Sequence, residues 1–321
     1  MRAVVIRRTG GPEVLEVEEV EAPVPGAGEV VVEVAAAGLN FIDTYQRSGL
    51  YPVAVPFTPG LEAAGTVRST GPGVSDLTEG DRVAFCSSLG AYAERALVPA
   101  ADLVPVPDDV SSDTAAASMV QGLTAVYLAT STYPLEAGAS CLVHAGAGGV
   151  GLLLIQIAKR LGATVYTTVG SDEKAEIARA AGADHVIAYR REDFAERVRE
   201  IGGDRPLDVV YDGVGKATVP AGLGLLRRFG LMVAFGNASG AVDPVDPLVL
   251  TANGSLFFTR PTLFDHVAER ETLLAKSEQL FAWIADGLDV RIGGRYRLED
   301  AADAHRAIES RATTGKILID P

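Results

Sequence analysis

The sequence predicts an α/β protein in which a small, strongly bent β-barrel precedes a doubly wound parallel sheet. Two different sequence patterns within the chain support this fold class. The first 120 residues contain short β-branched runs separated by proline and glycine, whereas residues from 140 onward alternate short apolar runs with helical segments. The length of 321 residues is enough for two domains, each with its own hydrophobic core.

The first part of the chain is predicted to be mostly sheet. Four runs rich in β-branched residues favour strands, over residues 29–38, 65–71, 81–86 and 92–99. The segments PVPGAG, GPG and EGD between them are typical of turns. Apolar residues then recur at helical spacing behind a Ser/Asp start, which predicts that a helix begins near residue 112.

The second part of the chain alternates strands and helices. Short apolar runs recur about every 20 residues and predict six strands, at 141–146, 164–170, 184–189, 208–215, 231–236 and 255–259. Helical segments lie between the earlier strands, at 150–162, 171–182 and 191–203. Continuous apolar strands indicate burial on both faces, and strand–helix alternation indicates a parallel sheet with right-handed crossovers. Residues 122–261 are therefore predicted to form a doubly wound nucleotide-binding domain.

The last sixty residues are predicted to complete the first domain. An amphipathic helix is expected over residues 271–287, and the terminal GKILID reads as a strand that returns to the β-rich part. The first domain would then comprise residues 1–121 and 262–321. This division requires the chain to leave the first domain and come back to it.

Composition excludes several classes of function. The formal net charge of −14 argues against electrostatic binding of nucleic acid or anionic lipid over a broad surface. The opening MRAVVIRRTG has no apolar run behind its positive charge, so no membrane anchor is expected and a cytoplasmic location is the default. Cys86 and Cys141 lie far apart without metal-ligand spacing, so they read as buried thiols. The histidines at 144, 185, 266 and 305 are scattered and fit core or surface roles.

The segment HAGAGGVG at 144–151 is the sharpest functional signal. Gly146, Gly148 and Gly151 satisfy G-x-G-x-x-G between a predicted strand and a predicted helix. In this context the first glycine permits the turn, the second lets the backbone approach a pyrophosphate, and the third lets the helix pack against the strand. The N–H groups at the start of the helix would then bind the phosphates.

The end of the second strand favours NADPH over NADH. NAD enzymes place an acidic residue about 20 positions after the glycine motif to hold the ribose 2′-hydroxyl, and here Val169, Gly170 and Ser171 occupy that place. Asp172 lies close by, and we interpret it as a residue of the first helical turn. Lys174 follows on the same turn and can supply the cation that a 2′-phosphate needs.

Eight motifs follow one another over nearly the whole chain: AGLNFIDTYQRSGLYP (37–52), PFTPGLEAAGTV (56–67), QGLTA (121–125), HAGAGGVG (144–151), YDGVG (211–215), GLMVAFGNASGAV (230–242), GSLFFTRP (254–261) and SRATTGKILI (310–319). As a set and in this order they resemble the zinc-independent quinone oxidoreductases of the medium-chain dehydrogenase/reductase superfamily. The resemblance implies a GroES-like β-barrel catalytic domain and a Rossmann domain with a cofactor cleft between them. It also implies NADPH as the reductant and a homodimer joined through the Rossmann sheets.

A catalytic zinc is not expected. The zinc-dependent relatives in that superfamily carry a cysteine near the position of Asn40 or Asp43, a histidine within Gly-His-Glu, and a lobe with four cysteines. This sequence has Gly60-Leu61-Glu62 in place of the triplet and has no such lobe. Catalytic zinc takes three protein ligands, and the expected ones are missing.

The same resemblance suggests which residues serve the substrate. Asn40, Tyr45 and Tyr51 are the catalytic candidates, because the motif that contains them lines the substrate side in the family and because amides and phenols donate hydrogen bonds without first losing a charge. Turn asparagines and packed tyrosines are also common structural residues. Arg47, in the same predicted loop, could equally anchor a salt bridge.

The resemblance also transfers the cofactor contacts by motif. Thr124 is expected to face the nicotinamide, and Asn40 and Asp43 are expected to contact the cofactor. The residues expected at the pyrophosphate are those of the glycine turn, Gly146, Ala147, Gly148, Gly149, Val150 and Gly151. Ser171, Lys174, Tyr189 and Arg311 are expected around the adenosine and its 2′-phosphate. Phe235, Gly236, Asn237 and the backbone at Phe258 and Thr259 are expected at the ribose or nicotinamide.

The leading hypothesis is an NADPH-dependent quinone reductase that transfers hydride, or apparently single electrons, to a quinone without a metal. One alternative keeps the fold and reduces the activated C=C bond of an enone or alkenal. The other is a cofactor-binding protein with little catalytic activity. Product analysis separates the first two, and tight binding without turnover would indicate the third.

Overall fold

The computed structural model describes residues 1–321, which pack as two compact units. The first unit contains residues 1–123 and 266–321, and the second contains residues 124–265. The first boundary falls inside a helix. Helical periodicity continues across such a point, so a sequence pattern gives no sign of it.

The strands in chain order are β1 (Arg2–Val5), β2 (Glu16–Glu19), β3 (Glu29–Leu39), β4 (Ala63–Thr70), β5 (Arg82–Phe85), β6 (Arg95–Pro99), β7 (Val104–Pro105), β8 (Ser140–Val143), β9 (Thr164–Val169), β10 (His185–Ala188), β11 (Leu207–Asp212), β12 (Leu226–Ala234), β13 (Phe257–Thr259), β14 (Ile292–Arg297) and β15 (Lys316–Asp320). The α-helices are α1 (Phe41–Ser48), α2 (Ser112–Tyr127), α3 (Gly149–Arg160), α4 (Asp172–Ala180), α5 (Phe194–Gly202), α6 (Val219–Leu223), α7 (Pro247–Ala252), α8 (Leu263–His266), α9 (Arg270–Ala285) and α10 (Ala301–Glu309). No helix is both long enough and apolar enough to cross a membrane.

The first unit is built around the long strand β3. It pairs antiparallel with β4, β6 and β15, so the C-terminal strand does return to the N-terminal part of the chain, as the sequence predicts. Val30, Val32 and Val34 of β3 are buried in the hydrophobic core of this unit. Sequence patterns missed the strands β1, β2, β7 and β14 and the helices α1 and α10.

Helix α1 lies in a segment that the sequence analysis treated as a loop, and that interpretation is wrong. Asn40 caps the helix, with its backbone N–H donating to the Asp43 carboxylate, and Gly49 ends it in the left-handed conformation with φ of 82°. Arg47 is buried at the last turn, where its guanidinium donates two hydrogen bonds to the Glu309 carboxylate and contacts His305 Nδ1 at 3.1 Å. Arg47 is therefore a structural anchor of the helix.

The second unit is a six-stranded, fully parallel sheet in the order β10-β9-β8-β11-β12-β13. This is the Rossmann order, in which the chain reverses direction across the sheet between β8 and β11. Strands β8 and β11 are almost wholly buried, which explains why their sequences are continuously apolar. The predicted fold class is confirmed, and the switch point is where ligands bind in open α/β sheets.

Candidate functional site

The glycine motif forms a tight turn at the end of β8, at the switch point of the sheet. A Cβ on Gly146 would lie 1.9 Å from Thr167 Oγ1, and a Cβ on Gly151 would lie 2.4 Å from the carbonyl oxygen of Ala145. Both glycines are therefore required by the fold itself. A Cβ on Gly148 would meet only the Ala145 oxygen, at 3.2 Å, so this glycine borders open space. The loop leaves room at the position where a pyrophosphate would approach the backbone.

Helix α3 begins directly after this open position. Its N-cap is Gly148, which has no side chain to accept hydrogen bonds from the first turn. Gly149 and Val150 are partly accessible, while Ala147 is buried beneath the turn. The N-terminal N–H groups and the positive end of the helix dipole are thus left for an anion, which is how this fold binds phosphates.

The ends of β9 and β10 bring together three of the predicted adenosine contacts. Ser171 caps α4 by accepting a hydrogen bond from the backbone N–H of Lys174 at 3.3 Å. The Tyr189 hydroxyl lies 2.8 Å from where a Cβ on Gly170 would be, so the phenol sits over the end of β9. Asp172 is the first residue of α4, as predicted.

The ends of β12 and β13 carry the expected ribose and nicotinamide contacts. The backbone N–H groups of Phe235 and Gly236 both donate to the Asp212 carbonyl, and Gly236 packs against Gly213 so closely that a Cβ would be 2.4 Å from its oxygen. Phe258 is partly buried and packs against the core of the second unit. The remaining predicted contacts of this unit, Thr124, Asn237 and Thr259, are on α2, after β12 and on β13.

His144 and Asp212 form a buried pair that the sequence analysis did not identify as functional. His144 Nδ1 lies 2.9 Å from Thr168 Oγ1, and its Nε2 lies 3.9 Å from Asp212 Oδ2 without a hydrogen-bond partner. Burial lowers the pKa of His144, so the ring is neutral. The other Asp212 oxygen accepts from the N–H groups of Val214 and Gly215 at 2.7 and 2.8 Å. The pair therefore supports the chain at the ends of β8, β9 and β11. The sequence gives no sign of it, because these strand ends come together only in the folded sheet.

In the first unit, Asn40 belongs to a buried polar cluster with Glu62 and Lys316. The Lys316 ammonium donates to Asn40 Oδ1 at 2.8 Å and to the Glu62 carboxylate. Asn40 Nδ2 donates to Glu62 at 2.8 Å and to the Gly38 carbonyl at 3.1 Å. Both N–H groups of the amide are thus bonded to protein acceptors. This leaves Asn40 no free donor for a substrate oxygen, contrary to the role the sequence analysis expected.

Asp43 is fully buried beneath α1. One of its oxygens accepts from the backbone N–H of Asn40 at 2.8 Å and from the Tyr92 hydroxyl at 2.9 Å. Burial raises the pKa of Asp43 to about 7. The carboxylate itself is enclosed by protein groups, and the expected contact of Asp43 with the cofactor stays a prediction. The place of Asp43 in the structure is that of a helix cap.

Tyr45 and Tyr51 are brought together by the C-terminal turn of α1. Their ring centroids are 5.3 Å apart with planes at 58°, and Phe41 continues the aromatic surface at 5.7 Å from Tyr45. All three side chains are partly accessible. Arg311 lies elsewhere in this unit, exposed after α10, with a left-handed backbone φ of 57°.

The side chains that commonly bind metal ions are not clustered in this structure. The structure contains no group of three or more His, Cys, Asp or Glu side chains placed to hold a metal ion. Leu61, at the position of the histidine in the zinc relatives, is a buried apolar side chain. Both cysteines are buried as free thiols.

Comparison with known proteins places the chain in a family. Two family models match, the alcohol dehydrogenase GroES-like domain over residues 26–108 and the zinc-binding dehydrogenase over residues 149–274. A quinone oxidoreductase of Salmonella typhimurium is 49% identical, with 97% of each chain covered, and a 2-haloacrylate reductase of a Burkholderia species is 42% identical, with 99% of this chain and 98% of the relative covered. The crystal structure of Escherichia coli quinone oxidoreductase complexed with NADPH is similar at a TM-score of 0.97 and 45% identity over the whole of both chains. The chain therefore belongs to the quinone oxidoreductase family of the medium-chain dehydrogenase/reductase superfamily.

Proposed function

We propose that this protein reduces quinones to hydroquinones, with NADPH as the hydride donor and without a metal ion. The observation that carries the proposal is the open glycine turn at the switch point of a Rossmann sheet, in a chain 49% identical to a quinone oxidoreductase. The reaction takes one hydride and one proton per quinone and releases NADP⁺ and the hydroquinone.

The residues of the second unit fit the cofactor. The first turn of α3 and the open side of Gly148 suit the pyrophosphate, because a Cβ at residue 148 would fill that space. Ser171, Lys174 and Tyr189 would hold the adenosine and its 2′-phosphate. Ala234 through Asn237, Thr259 and Thr124 would border the ribose and nicotinamide. When bound, NADPH supplies the hydride, and the protein contributes orientation.

The proposal that the reaction needs no metal rests on what occupies the place of the expected ligands. Asn40 and Glu62 are already bonded to the Lys316 ammonium, and the neighbouring Leu61 offers no donor atom. A fixed cation beside Glu62 would also oppose a second cation there. The family model is described as zinc-binding, but this donor set does not provide three ligands.

Tyr45 and Tyr51 are the groups we propose to contact the substrate. Their phenols can donate hydrogen bonds to the quinone oxygen that gains negative charge, and their rings can contact a flat substrate. We assign Asn40 to positioning, because its amide is held on both sides and its backbone begins α1. The helix in turn presents Tyr45.

A second candidate is the reduction of an activated C=C bond. The observation that favours it is the 42% identity to a protein named 2-haloacrylate reductase. The two reactions use the same hydride donor and differ in the atom that receives the hydride. If an oxygen atom of the substrate accepts the hydride, the product is a hydroquinone. If a carbon atom accepts it, the product is a saturated carbonyl compound.

The test is turnover with product analysis. The protein is mixed with NADPH and either 1,4-naphthoquinone or a simple enone, the loss of absorbance at 340 nm is followed, and the products are separated. We expect hydroquinone formation, with Tyr45→Phe lowering kcat for the quinone about tenfold or more, in the range of one hydrogen-bond donor to a developing charge. Turnover of enones with none of several quinones would overturn the quinone assignment in favour of the second candidate. Binding of NADPH without any turnover would indicate a cofactor-binding protein with little catalytic activity.

We also propose that the protein is a homodimer joined along β13. This strand is the edge of the six-stranded sheet, and its outer side has no strand partner. Phe257 on β13 and Leu248 and Val249 on α7 are exposed apolar side chains of the same unit. Edge strands with exposed apolar residues pair readily with another chain. Analytical ultracentrifugation should show a dimer that Phe257→Lys converts to monomer, and a monomeric parent protein would contradict the proposal.

Three further expectations stay predictions. These are the cytoplasmic location, the contact of Arg311 with the 2′-phosphate, and the division of labour in which residues 1–121 and 262–321 provide the catalytic domain and residues 122–261 the NADPH domain. Limited proteolysis with and without NADPH, followed by mass spectrometry, would show which unit the cofactor protects.

A further inference from the structure

Helix α1 has a polar buried face and an aromatic, partly accessible face. Asp43, Gln46 and Arg47 are spaced by three and four residues, so they share one face, and all three are buried. Phe41 and Tyr45 lie on the opposite face and are partly accessible. Because the buried residues of this helix are all polar, its position depends largely on hydrogen bonds and ion pairs.

The Arg47 side chain holds the last turn of α1 at two places in the first unit. Its guanidinium donates two hydrogen bonds to the carboxylate of Glu309, the last residue of α10, at 3.2 and 2.6 Å. Its Nε donates to the Gly10 carbonyl at 3.2 Å, and the Gly10 N–H donates back to the Arg47 carbonyl at 3.1 Å. The Arg47 side chain is only 3% exposed, so these charge-assisted bonds are shielded from water.

His305, also on α10, accepts a further hydrogen bond from the same guanidinium. A terminal nitrogen of Arg47 lies 3.1 Å from His305 Nδ1. Burial and the charge of Arg47 lower the pKa of His305 to about 3, so the ring is neutral. A guanidinium can only donate, so Nδ1 is the acceptor and the ring proton is on Nε2. Two side chains of α10 therefore fix the direction in which the Arg47 side chain points.

The same turn of α1 carries both tyrosines proposed to contact the substrate. The Tyr45 carbonyl accepts from the backbone N–H of Tyr51 at 3.0 Å and from the Ser48 hydroxyl at 3.2 Å. The backbone of Tyr51 is thus bonded to α1 at the residue whose ring it faces, with 5.3 Å between the ring centroids. A movement of this turn would displace both phenols together.

We infer that Arg47 is a positioning residue for the substrate, which sets the orientation of Tyr45 and Tyr51 by binding α10 through Glu309 and His305. The role of the two phenols, and with it this positioning, rests on the proposed function. The Arg47 side chain is buried on the face of α1 opposite the Tyr45 ring, so it acts on a substrate only through the tyrosines. Hydrogen-bond donors must lie within bonding distance of the oxygen that gains charge, and a displacement of about 1 Å is enough to slow a reaction strongly.

Steady-state kinetics of matched variants test the positioning role. Arg47→Met removes the guanidinium, and Glu309→Gln is a milder change at a partner that is 35% exposed. Arg270→Met is the control, because Arg270 binds three backbone carbonyls and the Asp76 carboxylate elsewhere in the same unit. We expect Arg47→Met to lower kcat/KM for a quinone about tenfold and Glu309→Gln to lower it less, with KM for NADPH unchanged in both. Arg270→Met should change neither value by more than about twofold.

Two further measurements separate positioning from a general loss of structure. In a protein that already carries Tyr45→Phe and Tyr51→Phe, Arg47→Met should lower kcat/KM by less than about threefold, because the hydroxyls that it positions are absent. A tenfold loss in that background, or a parallel rise in KM for NADPH, would overturn the inference.

The positions of the two rings are also measured without turnover, by fluorine NMR of protein labelled with 3-fluorotyrosine. Tyr45→Phe and Tyr51→Phe assign the two signals. Arg47→Met should shift or broaden both signals, and Arg270→Met should leave them in place. Unchanged signals in Arg47→Met would overturn the inference. A protein that reduces no quinone would refute the proposed function, while the NMR comparison would still decide whether Arg47 positions the tyrosines.

Discussion

Replacement of Lys316 by methionine should destabilise the first unit strongly. The ammonium is 1% exposed and the Glu62 carboxylate 0% exposed, and the two are in direct contact. Methionine approximates the length of the lysine stem but removes the charge and the hydrogen bonds to Glu62 and Asn40. The carboxylate would keep only the backbone N–H of Val120 at 2.6 Å and the amide of Asn40 as donors. A buried negative charge would then lack a counter-charge.

The size of the effect follows from this burial. Removing one partner of a buried ion pair costs about 3–5 kcal/mol, because the other charge remains desolvated. For a unit of about 180 residues, this corresponds to a fall in Tm of roughly 6–20 °C. The double variant Glu62→Gln/Lys316→Met replaces both charges by neutral groups of similar size. It should recover most of the loss, because a neutral pair carries no large desolvation cost.

The measurement is urea unfolding followed by fluorescence. The single tryptophan, Trp283, lies on α9 in the first unit and reports the unfolding of that unit. Arg68→Met is the control, because it breaks an exposed ion pair with Glu79 in the same unit and should change stability little. The reasoning is refuted if Lys316→Met is no more destabilising than Arg68→Met, or if the double variant is as unstable as Lys316→Met.

Three other predictions concern pH, the glycine turn and the thiols. Burial raises the pKa of Asp43 to about 7, so its contribution to stability is complete below its unfolded pKa near 4 and is lost as pH rises from there through 7. Asp43→Asn should therefore reduce the dependence of the urea midpoint on pH between about pH 4 and 7, and an unchanged slope would contradict this. Gly148→Ala should keep the fold, since its Cβ meets only one oxygen, at 3.2 Å, but it should weaken the binding of NADPH at least about tenfold, measured by fluorescence titration. Gly146→Ala should in addition lower Tm. Burial raises the pKa of both thiols, that of Cys141 to about 12, so Cys86 and Cys141 should react with Ellman's reagent only after unfolding, and labelling of the native protein would count against their burial.

The part of the site that lies within one strand–turn–helix segment was predictable. Gly146, Gly148 and Gly151 serve a turn whose requirements are local: a tight bend, room for a phosphate and close packing of α3 on β8. The same holds for Ser171 and Asp172, since helix caps act within one turn. The parallel strands at the centre of the sheet were also predictable, because β8 and β11 are buried on both faces and therefore mostly apolar.

The misassigned residues are those whose role depends on distant partners. The segment at residues 41–48 reads as a loop because its buried residues are polar. Helix α1 forms because Asn40 and Asp43 make a capping box at its start and because Arg47 forms an ion pair with the distant Glu309. Arg191 gave no signal in the sequence, since its pairing with Asp172 requires β9 and β10 to be adjacent. Local patterns do not encode such pairs.

The amino-acid sequence by itself determined the fold class, the glycine turn and the family, because these depend on periodicity, glycine placement and motif order. Only the tertiary structure decided which predicted side chains are free to act. Asn40, Glu62 and Lys316 are far apart in the chain, and their contact in the core turns an expected substrate donor into part of a buried ion-pair cluster. The physical reason is that a polar group in a low-dielectric interior must find partners, and the identity of those partners is set by the packing of the whole unit.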